Sequence, residues 1–155
     1  MKRVIATPNE DVVVFIIGLR INRLRAVRKW LPAVQAMTPM IKECYEQQVG
    51  LLSHEMLVGW RSVTLIQYWR SSDALIAYSH GNRHLTAWKQ FNQSARASHA
   101  VGIFHETFEI SNYETMYVNL PTRGLAKAVG ESTIQKHQEQ AKDRLAERKP
   151  VSTRE

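Results

Sequence analysis

At 155 residues, with 44% hydrophobic and 23% charged side chains, the chain has the length of one domain and the make-up of a globular protein. A domain of that size buries about two-thirds of its unfolded surface without staples. The single cysteine, Cys44, excludes an internal disulfide and a cysteine-based metal site, and it suits a reducing compartment. The apolar run at residues 12–19 is too short to span a bilayer and carries no processing site, so a cytoplasmic protein is expected. The net charge of +7 is sharpest at Arg20, Arg23, Arg25, Arg28 and Lys29, five bases in ten residues with no acid among them. Such a patch attracts phosphates or anionic lipid headgroups. Nucleic acid is disfavoured, since no helix-turn-helix, RNA-recognition or zinc-finger pattern accompanies the patch. Peripheral membrane contact, a rim that steers an anionic substrate and a plain solvated turn all stay open.

Residues 11–21, DVVVFIIGLRI, are β-branched and apolar, and they predict a central strand. Val12, Val14 and Ile16 point to one side of it, and Val13, Phe15, Ile17 and Leu19 to the other. From residue 28 to 48, Leu31, Val34, Met37, Ile41 and Tyr45 recur at helical spacing. Pro32 suits a first turn, Pro39 should kink or split the helix, and Gly50 is a stop signal. Residues 51–58 and 61–70 predict two strands joined near Gly59. Ser71-Ser72-Asp73 marks the start of a helix that reaches about Ala97, interrupted at Gly81-Asn82. Residues 101–110 return to strand, with Val101 and Ile103 opposite Phe104, Phe108 and Ile110, and residues 114–120 add one more strand.

The order is β-α-β-β-α-β with an added strand, the ferredoxin-like arrangement of an α+β domain. Helices on one face leave the other face of the sheet apolar and bare. A second copy of the sheet is its simplest cover, so a two-fold homodimer is expected. This domain takes residues 1–130. Residues 131–155 read as a polar tail with few large apolar groups, a loose helix at most, its last ten or so residues disordered.

If the helix resumes after Gly81-Asn82, His84, Trp88, Phe91 and Ala95 fall on one stripe facing the sheet. A neutral imidazole there can ligate a metal or haem iron, or bond to a buried polar group. A satisfied core histidine is the commoner outcome. By alternation, His105 shares a strand face with Val101, Ile103, Thr107 and Glu109. If the second helix packs over that face, His84 and His105 look into one cavity, one to hold a cofactor and the other to move protons. The opposite assignment sends His105 towards a dimer partner. His80 and His84 have the spacing of a metal pair, but the glycine-asparagine step breaks their register and no third ligand is suitably spaced. Trp60, Trp69 and Trp88, with Tyr68 and Tyr78, supply either an aromatic pocket or, more commonly, ordinary core packing. Cys44 reads as a small buried hydrophobe. No glycine-rich phosphate loop, dinucleotide fingerprint or nucleophile elbow is present, which disfavours nicotinamide and nucleotide chemistry.

The segments QYWRSS (67–72), HLTAWKQFN (84–92), VGIFHETF (101–108) and YETMYVNLP (113–121), followed by GLAKA (124–128), resemble a small monooxygenase-like family typified by a fumagillin-cluster protein. That family sits in the dimeric α/β-barrel superfamily with the antibiotic-biosynthesis monooxygenases. The resemblance covers about residues 10–130 and implies a ferredoxin-like protomer forming a dimeric α/β barrel. A more distant resemblance, carried by His80, His84 and Phe91 and by His105-Glu106, is to haem-containing aldoxime dehydratases. It implies His84 as axial haem ligand and His105 as distal acid or base.

Three functions stay open on the sequence. One is a monooxygenase acting on a small apolar or aromatic metabolite held against Trp69, Tyr78, Trp88 and Phe91. It uses either haem on His84 or no cofactor, with His105 taking the proton. The second is a haem carrier, sensor or dehydratase. The third is a non-catalytic module that holds an apolar ligand.

Overall fold

The computed structural model describes residues 2–7, 11–95 and 98–147. A short strand β1 (Arg3–Ala6), which the sequence pattern does not predict, precedes β2 (Val12–Ile21) and the helix α1 (Val27–Glu46). The hairpin β3 (Leu51–Gly59) and β4 (Ser62–Trp69) follows, then α2 (Ser72–Ser79), α3 (Asn82–Ala95) and β5 (Val101–Ile110). Strands β2 to β5 pair antiparallel in the order β3-β4-β2-β5, which is the ferredoxin-like topology.

Central strand β2 is apolar on both sides because it is covered on both sides. Val13 packs with Leu65, Trp69, Met37, Ile41 and Cys44 under α1. Under that apolar contact α1 runs unbroken through Pro32 and Pro39. Each proline removes one backbone donor, yet Pro39 does not split the helix as its position predicts. The second helix is broken where expected. Ser71 Oγ accepts from Ala74 N at 3.1 Å to start α2. Gly81 N then donates to the Tyr78 carbonyl at 2.9 Å, and the Gly81 carbonyl accepts from Leu85 N at 3.0 Å to restart the helix as α3.

The opposite face of β2 meets the C-terminal part of the chain. There β6 (Tyr117–Val118), α4 (Gly124–Val129) and β7 (Glu131–Thr133) lead to a 3-10 turn (Lys136–Gln138) and α5 (Ala141–Ala146). Ala6, Val12, Val14, Leu125 and Ala126 are buried together, with Tyr68, Tyr113 and Tyr117 against them. Part of the face that called for a second copy is thus covered by the chain itself. The added strand is only two residues long, and it pairs with β1 rather than with the main sheet.

The expected barrel is not formed. The main sheet ends at β3 on one side and β5 on the other, and the second sheet, β6-β1-β7, is separate. Closure requires every strand to be paired on both edges, and among the described residues both edges of the four-stranded sheet are open. The fold class is therefore an open ferredoxin-like α+β sheet with a small accessory sheet.

The accessory segment is tied down by one buried guanidinium. Arg144 Nε donates to Glu114 Oε2 at 2.8 Å, and Arg144 NH1 donates to the carbonyls of Gln138 at 2.8 Å and Glu139 at 3.0 Å. Removing it orphans two carbonyls and a partly buried carboxylate. Arg144→Ala is expected to cost about 1–3 kcal/mol. Amide exchange should accelerate in residues 131–147 while β2 to β5 stay protected, measurable by denaturant melts and hydrogen exchange.

Candidate functional site

A cavity of about 490 Å³ lies between the sheet and the three helices α1, α2 and α3. Its floor is the inward row of the three strands that meet there. Phe15, Ile17 and Leu19 come from β2, Leu65 and Gln67 from β4, and Ile103, His105 and Thr107 from β5. The registers Phe15↔Gln67, Phe15↔Thr107 and Ile17↔His105 place them side by side. Met37, Ile41 and Cys44 of α1 and Tyr78, His84, Trp88 and Phe91 from the helical segment 72–95 complete it. No Asp, Glu, Lys or Arg lines it among the described residues. Its size suits a small organic molecule, and its lining suits a neutral, apolar one.

His84 stands in the first turn of α3, and its Nδ1 is buried without a hydrogen-bond partner. The Tyr78 ring lies edge-on to it, centroids 5.6 Å apart at 66°. Tyr78 is itself held by its hydroxyl, which donates to the Met40 carbonyl at 3.1 Å. Burial pushes the His84 pKa below the ordinary histidine value, 6.5, because the imidazolium would lose its hydration. The ring is therefore neutral near pH 7. Tyr78 and His84 also border a second pocket of about 470 Å³, lined besides by Glu43, Gln47 and Asn82.

The remaining predicted site residues divide. His105 lines the same cavity as His84, but it lies exposed on the edge strand β5, its ring 5.8 Å from that of Phe15. Trp88 and Phe91 line the cavity and stack on each other at 5.8 Å and 26°. Trp69 is fully buried and is not among the lining residues. Its indole N–H donates to Gln67 Oε1 at 2.8 Å. Tyr68 belongs to the opposite face of the sheet, and Trp60 sits exposed at the β3–β4 tip. His80 Nδ1 donates to the Ile76 carbonyl at 2.8 Å.

Gln67 is a site residue that site reasoning from the sequence passes over. It is a buried polar residue on the cavity wall, and its carbonyl oxygen is engaged by Trp69. What it has left to offer is the amide NH₂, a donor. The signal was present, since one glutamine interrupts the inward apolar row Leu65, Gln67, Trp69.

The haem expectation does not survive this geometry, nor does the likeness to haem-containing dehydratases that suggested it. Iron-ligating imidazoles donate their second ring nitrogen to a carbonyl or carboxylate, which fixes the ring and raises its basicity. His84 Nδ1 has no such partner. Haem also carries two propionates, and the cavity offers no Lys or Arg among its described lining residues to meet them. Among the described residues, no group of three or more His, Cys, Asp or Glu could hold a metal ion.

Solved structures similar to the chain include a candidate antibiotic biosynthesis monooxygenase from Caulobacter crescentus, with TM-score 0.51, 10% identity and coverage of 65% of this chain and 91% of that one. Another is SnoaB from Streptomyces nogalater, described as a cofactor-independent oxygenase, with TM-score 0.47, 17% identity and coverage of 64% and 93%. A third is a dimeric Bacteroides fragilis protein of ferredoxin-like fold and unknown function, with TM-score 0.49, 12% identity and coverage of 64% and 96%. At these identities the likeness concerns the fold. No curated protein sequence matches the chain at a significant level. One family profile spans the whole sheet-and-helix unit, residues 12–125, and by it the chain belongs to the monooxygenase af470-like family.

Proposed function

We propose that the protein is a small oxygenase that oxidises a neutral apolar or aromatic metabolite with dioxygen and without a cofactor. One observation carries this reading: a neutral imidazole whose Nδ1 is buried and unpartnered on the wall of an uncharged cavity. The family's description as monooxygenase-like agrees with it. A base in such a place is poised to accept a proton from a bound ligand, because no protein group among the described residues competes for it.

The chemistry balances for a substrate with an acidic methylene. His84 takes one proton, and the resulting carbanion reduces dioxygen as a carbon–oxygen bond forms. The hydroperoxide then loses its second C–H proton as the O–O bond breaks, so R₂CH₂ and O₂ give R₂C=O and water. The uncharged cavity desolvates the anion and sharpens its reactivity. The Gln67 NH₂ supplies a hydrogen bond to the oxygen that gathers its charge. His105, exposed at the edge, exchanges the proton with solvent.

We also propose that two copies pair through the sheet face left uncovered by the C-terminal segment. Phe104 and Phe108 lie there, 50% and 47% exposed, across the sheet from the cavity. Apolar rings on an open face are costly in water and suit a self-complementary contact.

Oxygen uptake matched to loss of an aromatic ketone with an acidic methylene tests the first proposal. His84→Ala should lower kcat about 10²–10⁴-fold while leaving ligand binding in place. Ligand binding with no oxygen uptake for any substrate would leave a binding module instead. The pH profile supplies a second check, since the base acts when neutral. With its pKa held below 6.5, kcat should be level across neutral pH and fall only as pH drops through that lowered value. For the pairing, Phe104→Asp with Phe108→Asp should convert a dimer to a monomer in analytical ultracentrifugation.

A further inference from the structure

The basic cluster and the exposed Trp60 play no part in the cavity, yet the fold brings them to one end of the molecule. Arg61 is the clamp. Its Nε donates to the Ile21 carbonyl at 2.9 Å, its terminal nitrogen donates to the Asn22 carbonyl, and Ile21 N donates back to the Arg61 carbonyl at 2.7 Å. This locks the β3–β4 tip against the loop between β2 and α1. That loop is further fixed by Asn22 N and Arg23 N on the Ala100 carbonyl, at 2.9 and 3.2 Å, and by Trp30 Nε1 on the Leu24 carbonyl at 3.0 Å. The surface is thus built rather than floppy.

This fixed surface carries two things that water does not favour. Trp60 is 87% exposed and Val58 75% exposed on the tip, and Leu24 and Val27 are exposed on the clamped loop and the helix start that follows it. Around them stand the exposed side chains of Arg20, Arg23, Arg25, Arg28 and Lys29, none of which is in an ion pair among the described residues. Residues 20–31, 58–62 and 98–103, the segments that meet at this end, contain no Asp or Glu. Arg28 and Lys29 even occupy the first turn of α1, where there is no acid and no side-chain cap. Cations there oppose the helix dipole, so the local potential is strongly positive.

We propose that this end docks on an anionic membrane surface, with Trp60, Val58 and Leu24 entering the headgroup region and the arginines meeting lipid phosphates and carboxylates. Charge complementarity sets the partner's sign, and the exposed aliphatic groups set its class. Tryptophan favours the membrane–water boundary, and basic residues around an apolar tip add to the attraction. A polynucleotide would use the bases and the indole, but it has no use for exposed valine and leucine. The inference does not depend on the oxygenase reading.

Flotation of the full chain with phosphatidylcholine vesicles, with and without phosphatidylserine, tests it. The protein should float only with the anionic vesicles, and added salt should release it. Arg23→Gln and Arg25→Gln should each lower partitioning about fivefold. Trp60→Ala should lower it about tenfold with an unchanged melting temperature, as befits so exposed a side chain. Three results would overturn the proposal: absence of flotation with either vesicle; wild-type flotation by Trp60→Ala together with release by a single-stranded oligonucleotide; or a loss of dimer, rather than of flotation, on Trp60→Ala.

Discussion

Strand β2 is apolar on both faces, so it must be covered twice, and the way the chain meets that demand determines the rest of the molecule. On one face, α1, α2 and α3 close over Val13, Phe15, Ile17 and Leu19. On the other, Val12 and Val14 disappear beneath α4 and β1. A single helix layer over one end of the sheet would give a solid core. What makes room for a cavity is that the second helix is two helices, turned at Gly81, so that α3 starts afresh and sets His84 and Trp88 over the floor of the sheet.

The two covers differ in kind. The Met37, Ile41, Cys44 and Trp69 cluster is a packed core, and Cys44 within it is pushed above its ordinary pKa first by burial, which keeps the thiol protonated and inert. The C-terminal cover joins an apolar cluster around Leu125 and Ala126 to a set of polar ties. Ser53 Oγ donates to the Gly124 carbonyl at 3.2 Å, Gly124 N donates to Glu55 Oε1 at 2.8 Å, and Arg144 anchors the last turn. The cavity opens beside the first of these covers.

How much of this the sequence carried follows from what each signal measures. Alternation along residues 11–21 and 101–110 reported face and strand directly, and Ser71 and Gly81 marked a helix start and a break, because these are local chemical facts. Strand β1 escaped, since Arg3–Ala6 is short and is a strand only by virtue of partners more than a hundred residues away. Closure into a barrel was inferred from resemblance, not from any residue pattern, and pairing at sheet edges is the kind of long-range fact that local periodicity does not encode. At the site, alternation placed His105 on the cavity face and helical spacing placed His84 there. Trp69 could not be told from a lining residue, because a ring that walls a cavity and one packed just behind the wall have the same spacing.

The histidines show why the site is more than packing. His54 Nδ1 meets the Tyr45 hydroxyl at 2.8 Å, and His80 Nδ1 meets the Ile76 carbonyl at 2.8 Å. The half-buried His54 and the exposed His80 have thus each found a partner. His84 has not, and a buried nitrogen without a partner costs about 1–3 kcal/mol relative to one that has it. A phenylalanine at residue 84 would fill the same wall, keep a ring against Tyr78, and carry no such cost. A local sacrifice of stability that an ordinary substitution would remove sets His84 apart from the other two histidines, and it is the physical ground on which the proposed role of its Nδ1 rests.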